Sequence, residues 1–115
     1  MQNDFRVQVH DDGNAIVLAV GGELDLSSSP ALEDALEQVH ASDCALVIMD
    51  LRELEFMDST GLSVLIKAQQ RAQEAGRRFG LVKGGTQVQR LLSLTGIDER
   101  MTVADSPEEL LSDGG

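Results

Sequence analysis

Apolar and polar positions change period several times along the chain, and each change marks an element. Phe5-Arg6-Val7-Gln8-Val9 alternates, as a strand with one wet face does. Asp11-Asp12-Gly13-Asn14 reads as a turn. Ala15 to Val20 is continuously apolar, a more buried strand, and the two runs predict an antiparallel hairpin. Gly21-Gly22 then predicts a sharp turn or a close backbone approach at the strand end. Ser27-Ser28-Ser29-Pro30 opens a helix, with a serine cap and proline in the first turn. Leu32, Ala35, Leu36 and Val39 form its apolar stripe to about Ala41, while Glu33, Asp34 and Glu37 face water. Ala45-Leu46-Val47-Ile48-Met49 is apolar throughout, a strand covered on both faces. An acidic connection from Asp50 to Phe56 leads to Met57-Asp58-Ser59-Thr60-Gly61-Leu62. A second helix runs from Ser59 to Ala75, with Leu62, Leu65, Ile66, Gln69 and Ala72 on one face. Gly76 is its C-cap, and Arg77 and Arg78 supply positive charge where that helix ends.

The remainder repeats the alternation. Arg78 to Val82 is a short strand, Gly84-Gly85-Thr86 a turn, and Gln87 to Leu94 a helix with Val88, Leu91 and Leu92 inward, ended by Gly96. Met101-Thr102-Val103 is a last strand, and Ser106-Pro107 starts a terminal helix through Leu111. Strand–helix alternation specifies an α/β fold: one domain over 4–111, with a mainly parallel sheet of about five strands, an antiparallel edge hairpin, about four helices and right-handed crossovers. Residues 112–115 are expected to fray. In such sheets functional groups gather beyond the carboxyl ends of strands, which places Gly22–Ser28 and Asp58–Gly61 on one candidate surface.

Composition narrows the partners. Of 115 residues only three are aromatic, all Phe, so the chain offers no broad stacking surface for bases or sugars. The net charge is −11, and all of it lies in residues 1–58, where Arg6 and Arg52 face 13 acidic groups. That half repels phosphate backbones and anionic lipids, which argues against direct nucleic-acid binding and membrane insertion; it either favours a partner with a basic face or serves solubility alone. Cys44 is the single cysteine, so no intramolecular disulfide forms, as suits a reducing cytosol, and it reads as a small core residue. The N-terminus has no apolar h-region and the longest apolar run is Ala15–Val20; a cytoplasmic location is expected.

The chemistry concentrates at Ser59 and Thr60, hydroxyls beside a carboxylate at a helix start. Three readings of Ser59 stand side by side. It caps the helix, a contribution of about 1 kcal/mol. It is a hydrolase nucleophile, although the surroundings have no G-x-S-x-G elbow and His10 and His40 are not obvious bases. Or it is a modification site, because a helix N-terminus tolerates the added anion. Asp11–Asn14 lacks the alternate acidic positions of a calcium loop, and Gly80–Gly85 lacks the GK[ST] of a P-loop, so neither metal nor cofactor is expected.

Three elements in order carry a family resemblance: Gly22-Glu23-Leu24-Asp25, then Asp50-Leu51 through Phe56-Met57-Asp58-Ser59-Thr60-Gly61-Leu62, then Val88, Leu91-Leu92 and Thr95-Gly96-Ile97. Together they resemble the STAS domain, and more narrowly the stand-alone bacterial anti-sigma factor antagonists. The resemblance implies a substrate and ligand rather than an enzyme. Its unphosphorylated form binds an anti-sigma factor, a serine kinase of the GHKL ATPase type, and so releases the sigma factor. Phosphorylation abolishes binding, and a PP2C-type phosphatase restores it. Carried across, Ser59 is the phosphoacceptor and Asp58 the motif acid that positions the hydroxyl and binds the partner. Gly61 allows close approach or keeps the helix start compact, and Asp25 belongs to the same docking surface. Thr60 stands where many relatives have a second serine, a second hydroxyl open to modification. The alternative implied by the same domain is a STAS accessory subunit of a membrane lipid-transport ATPase complex.

Overall fold

A computed structural model of the chain describes residues 4–112. The elements run β1 (Arg6–Asp12), β2 (Ala15–Leu24), α1 (Ser29–His40), β3 (Leu46–Met57), α2 (Ser59–Glu74), β4 (Arg78–Val82), α3 (Thr86–Leu94), α4 (Ile97–Arg100), β5 (Thr102–Ala104) and α5 (Pro107–Ser112). Five strands form one sheet in sequence order; β1 pairs antiparallel with β2 and every other pairing is parallel. The α/β class, the edge hairpin and the strand count are as the sequence predicts. Among the described residues there are five helices rather than about four. The extra one, α4, is a single turn after Gly96 that buries Ile97 alone, too short to leave a periodic signature. Ser112 closes α5; the rest of the tail expected to fray lies outside the described residues.

Crossovers of one hand, stepping in one direction across a sheet, leave their helices on one face. That face carries the main core, where Leu32, Leu36 and Val39 of α1, Leu62 and Leu65 of α2, and Val88 and Leu92 of α3 meet Leu18, Val47, Met49 and Leu81. Cys44 lies in this core, as expected. The other face is covered in part by α5, whose Leu110 packs with Ala15, Leu46, Ile48 and Val82. Each strand of the central pair must therefore be apolar on both sides, which is why 15–20 and 45–49 read as unbroken runs.

Two predicted boundaries are corrected, and both bear on the site. The segment from Asp50 to Phe56 is not a connection; β3 continues through it to Met57. Nor does β2 stop at the paired glycines; it continues to Leu24. The register explains both. Ala19 pairs with Asp50 but Gly21 with Glu53, and Gly22 pairs with Leu54 but Glu23 with Phe56, so β3 carries an extra residue at each of two bulges. The bulges turn a spacing of three into a single face. Leu51, Leu54 and Met57 are all buried while Arg52, Glu53, Glu55 and Phe56 face out. A strict two-residue alternation is absent, so the segment reads as loop. Gly22 sits opposite the second bulge at φ 82°, and a Cβ there would lie 2.4 Å from the Asp4 carbonyl oxygen, so the close approach is real but falls inside the strand.

Arg77 is the third correction. The last turn of α2 is closed by backbone alone, with the Gly76 N–H on the Gln73 carbonyl (3.1 Å) and the Arg77 N–H on the Ala72 carbonyl (2.8 Å). The Arg77 guanidinium crosses instead to the end of α1, donating to the carbonyls of Val39 (2.8 Å), His40 (3.3 Å) and Ser42. It thus serves the end of a helix 38 residues upstream, adding a charged donor to carbonyls of its last turn and of the loop that follows. Arg77→Met is expected to lower unfolding stability by about 2–3 kcal/mol, since hydrogen bonds to a charged donor are lost at three carbonyls, of which that of Val39 keeps the Ser42 N–H and hydroxyl. Arg78→Met, at an exposed position, should change it by less than about 0.5 kcal/mol. Urea denaturation of the two variants checks the contrast.

Candidate functional site

The carboxyl ends of β2 and β3 lie side by side, with Leu24 opposite Met57. Beyond them the chain makes two turns that lock together. The Asp58 N–H donates to the Leu24 carbonyl (3.2 Å). Gly61, buried in the first turn of α2, presses on the same residue; a Cβ there would come within 2.7 Å of Leu24 Cγ. The surface anticipated from Gly22–Ser28 and Asp58–Gly61 is therefore one continuous structure, and the absence of a side chain at position 61 is what lets α2 start so close to β2.

Asp58 is the N-cap of α2. Its backbone is extended and its carboxylate accepts the Gly61 N–H at 3.0 Å. The cap role considered for Ser59 belongs to Asp58, and that carboxylate is engaged in holding the helix start. Ser59 is instead the first helical residue, exposed, and its hydroxyl makes no hydrogen bond among the described residues. Its carbonyl accepts the Ser63 hydroxyl (3.0 Å). Thr60 is half-buried, so of the two adjacent hydroxyl residues Ser59 is the one presented outward.

Asp25 anchors the neighbouring turn. One carboxylate oxygen accepts the N–H groups of Ser27 (3.0 Å) and Ser28 (3.1 Å) and the Ser27 hydroxyl (2.8 Å). The Ser27 hydroxyl, with these N–H groups, holds the Asp25 carboxyl below the usual carboxylate value despite some opposing desolvation. The Ser28 hydroxyl accepts the Asp25 N–H (2.9 Å) and donates to the Glu23 carbonyl (2.8 Å), so the serine run predicted as a cap works by folding the loop before α1. Ser28 occupies the N-cap position but makes no side-chain cap bond. The hydroxyls of Ser27, Ser28 and Ser29 are all engaged locally, unlike that of Ser59.

Charge at this end is partly neutralised. Arg6 pairs with Glu53 (3.1 Å) and Arg52 with Asp50 (2.8 Å). Burial pushes the Asp50 carboxyl up, yet the Arg52 guanidinium and N–H outweigh it and leave it below its ordinary value. Glu23, Glu55 and Asp58 have no cationic partner among the described residues. Two apolar side chains stand among them, Leu26 at 74% exposure and Phe56 at 39%. Sequence reading missed both as surface residues. Leu26 carries no signal, whereas Phe56 interrupting an acidic stretch was a cue that a strand edge continues.

The histidines are elsewhere. His10 lies on β1 opposite Val17, and His40 ends α1 at the other end of the sheet, where burial and then Arg71 and Arg77 hold its imidazole below the usual value. Neither belongs to the turn that presents Ser59, and no nucleophile–base pair is assembled there. Among the described residues no group of three or more His, Cys, Asp or Glu is placed to hold a metal ion, and no helix is long and apolar enough to cross a membrane.

The chain is similar to known proteins over nearly its whole length. A protein-family model described as "Mlab, STAS domain" matches residues 7–110. The anti-sigma-F factor antagonist RsfB of Mycobacterium tuberculosis is 31% identical over 110 residues, spanning 96% of this chain and 89% of that protein. The anti-sigma-B factor antagonist of Listeria monocytogenes is 27% identical over 99 residues, 86% of this chain and 87% of that protein. Among solved structures, an anti-sigma factor antagonist from Mycobacterium paratuberculosis superimposes with a TM-score of 0.87 at 29% identity, covering 96% of this chain and 93% of that one.

Proposed function

The chain belongs to the STAS-domain family of anti-sigma factor antagonists, regulatory binding proteins rather than enzymes, and we propose that Ser59 is the switch by which it binds and releases an anti-sigma factor. In the unphosphorylated state the surface built from the Asp25 turn and the Asp58–Gly61 turn docks on an anti-sigma factor that is a serine kinase of the GHKL ATPase type. The sigma factor is thereby freed. The kinase transfers the γ-phosphoryl group of ATP to the Ser59 oxygen, the hydroxyl proton leaves with the kinase's base, and docking is lost. A PP2C-type phosphatase hydrolyses the phosphoester and resets the switch.

One observation carries this reading: Ser59 is exposed at the first position of α2 with its hydroxyl unengaged, while Asp58 does the capping. The fold does not need that hydroxyl, so it is available for chemistry. A phosphoryl group there adds roughly −1.5 to −2 charge. The helix N-terminus compensates only about 0.3–1 kcal/mol of the repulsion from Asp58 and its acidic neighbours at an exposed site. The added charge leaves the fold intact but changes what the surface accepts. Glu23, Asp25, Glu55 and Asp58 favour a basic rim on the partner, and Leu26 and Phe56 favour an apolar centre.

The test is to incubate the chain with ATP and the GHKL kinases of its own cell and map phosphate by mass spectrometry. Phosphate on Ser59 is the expected result. Phosphate on Thr60 alone would move the acceptor by one residue, and no phosphate on either would sink the switch. Co-purification with a transporter ATPase in place of a GHKL kinase would favour the lipid-transport reading instead.

A further inference from the structure

β3 outruns its neighbour. Its pairing with β4 ends at Asp50 opposite Val82, while its pairing with β2 continues to Met57. From Leu51 to Met57 one edge of the strand that delivers Ser59 therefore has no strand beside it among the described residues. The segment between β4 and α3 runs along that edge instead. Gly84 lies so close that a Cβ would be 2.8 Å from the Leu51 carbonyl oxygen, and Gly85 comes next beside the Leu54 carbonyl, 3.9 Å from where its Cβ would be. At the end of the strand the Gln87 side chain takes over. Its Oε1 accepts the Met57 N–H (3.0 Å) and its Nε2 donates to the Met57 carbonyl (3.0 Å). A primary amide is the side chain that can reproduce both halves of a backbone pairing at one residue.

We infer that Gln87 is a positioning residue for phosphoryl transfer to Ser59; the inference rests on the switch reading above. Met57 is two residues from the acceptor, and its other edge is held where Leu24 pairs with it and accepts the Asp58 N–H. With both edges tied, the direction in which β3 hands the chain to α2 is set, and with it the place of the Ser59 oxygen relative to a docked nucleotide. Without Gln87 the free edge at Met57 exchanges its partner for water, and the turn samples orientations in which the hydroxyl is not in line with the γ-phosphorus. Misplacement of a reacting atom lowers the rate of the chemical step more than it weakens docking.

The experiment measures phosphorylation of the full chain by its anti-sigma kinase and ATP, with amide hydrogen exchange as a second readout. Gln87→Leu, which keeps the volume and removes both hydrogen bonds, is expected to lower kcat about tenfold with KM within about twofold. Gln87→Glu keeps the acceptor for the Met57 N–H and loses the donor, and should recover part of that rate. The Met57 amide should exchange at least about tenfold faster in Gln87→Leu, while the amides of Val47 and Met49 in mid-sheet are unchanged. Unaltered Met57 exchange, or an unaltered kcat in a chain whose wild type is phosphorylated, overturns the positioning role and leaves the Ser59 switch standing. A wild type that takes no phosphate at Ser59 removes the switch, and the positioning role with it.

Discussion

Ser59→Asp is expected to weaken binding to the anti-sigma partner by about two orders of magnitude, or about 2.7 kcal/mol. The unmodified surface already concentrates Glu23, Glu55 and Asp58 without cationic partners, so one further carboxylate at its centre adds like-charge repulsion and must be desolvated on docking. Ser59→Ala should bind within about threefold of the wild type, because the hydroxyl it removes has no intramolecular hydrogen bond to lose and contributes at most one exposed contact. Thermal stability should change little. An acidic residue in the first turn of a helix gains about 0.3–1 kcal/mol from the macrodipole, which offsets part of the repulsion from Asp58, so Ser59→Asp should stay within about 1 kcal/mol of the wild type while binding far less. Titration calorimetry and thermal melts on the three proteins separate the two effects. Equal affinities for Ser59→Ala and Ser59→Asp would show that charge at this position does not govern docking.

The second large effect belongs to Gly61. Any side chain there meets Leu24, with Cγ at 2.7 Å, Cδ2 at 3.0 Å and the carbonyl oxygen at 3.0 Å from the new Cβ, and Leu24 is fully buried. Either α2 backs away from β2 or Leu24 leaves its rotamer, and overpacking of this kind costs about 1–3 kcal/mol. Gly61→Val, branched at Cβ, should fall at the top of that range, about 3 kcal/mol, a drop of order 10 °C or more in melting temperature for a domain of this size. Binding should fail as well, since displacement of α2 strains both the Asp58 cap and its bond to Leu24. A double-mutant cycle with Leu24→Ala tests the cause. If the clash is with Leu24, the costs of Gly61→Ala and Leu24→Ala should fall short of additivity by more than about 0.5 kcal/mol. Additive costs would place the strain elsewhere.

Where sequence reading failed, the failures share a cause. It found β4 and the apolar stripes of α1 and α3 because each is a local regularity of period or punctuation. It lost the far half of β3 because two bulges convert alternation into a spacing of three, and a bulge is a relation between two strands. It assigned Arg77 to the nearer helix end because proximity in sequence is the only proximity a sequence displays, whereas the guanidinium reaches the end of α1. It valued Gly84-Gly85 as a turn before a helix cap and set it aside as a phosphate loop; the reason for a small residue at Gly84 is the Leu51 carbonyl, 33 residues away in sequence. Asp58 and Ser59 were identified together but the cap role was considered for Ser59 alone, because which of two adjacent polar residues caps depends on where the helix axis begins.

By itself the sequence determined the α/β alternation, the edge hairpin, the acidic half of the chain and the turn at Asp58-Ser59-Thr60-Gly61, since each is written in neighbouring residues. Only the tertiary structure decided that Ser59 is the outward hydroxyl and Asp58 the cap, that the Asp25 turn is locked to α2 through Leu24, and that Gln87 closes the free edge of β3. The cap is a local contact whose place depends on where the helix begins; the other two join residues 30 or more positions apart, and packing of the sheet against its helices is what brings them within hydrogen-bonding distance.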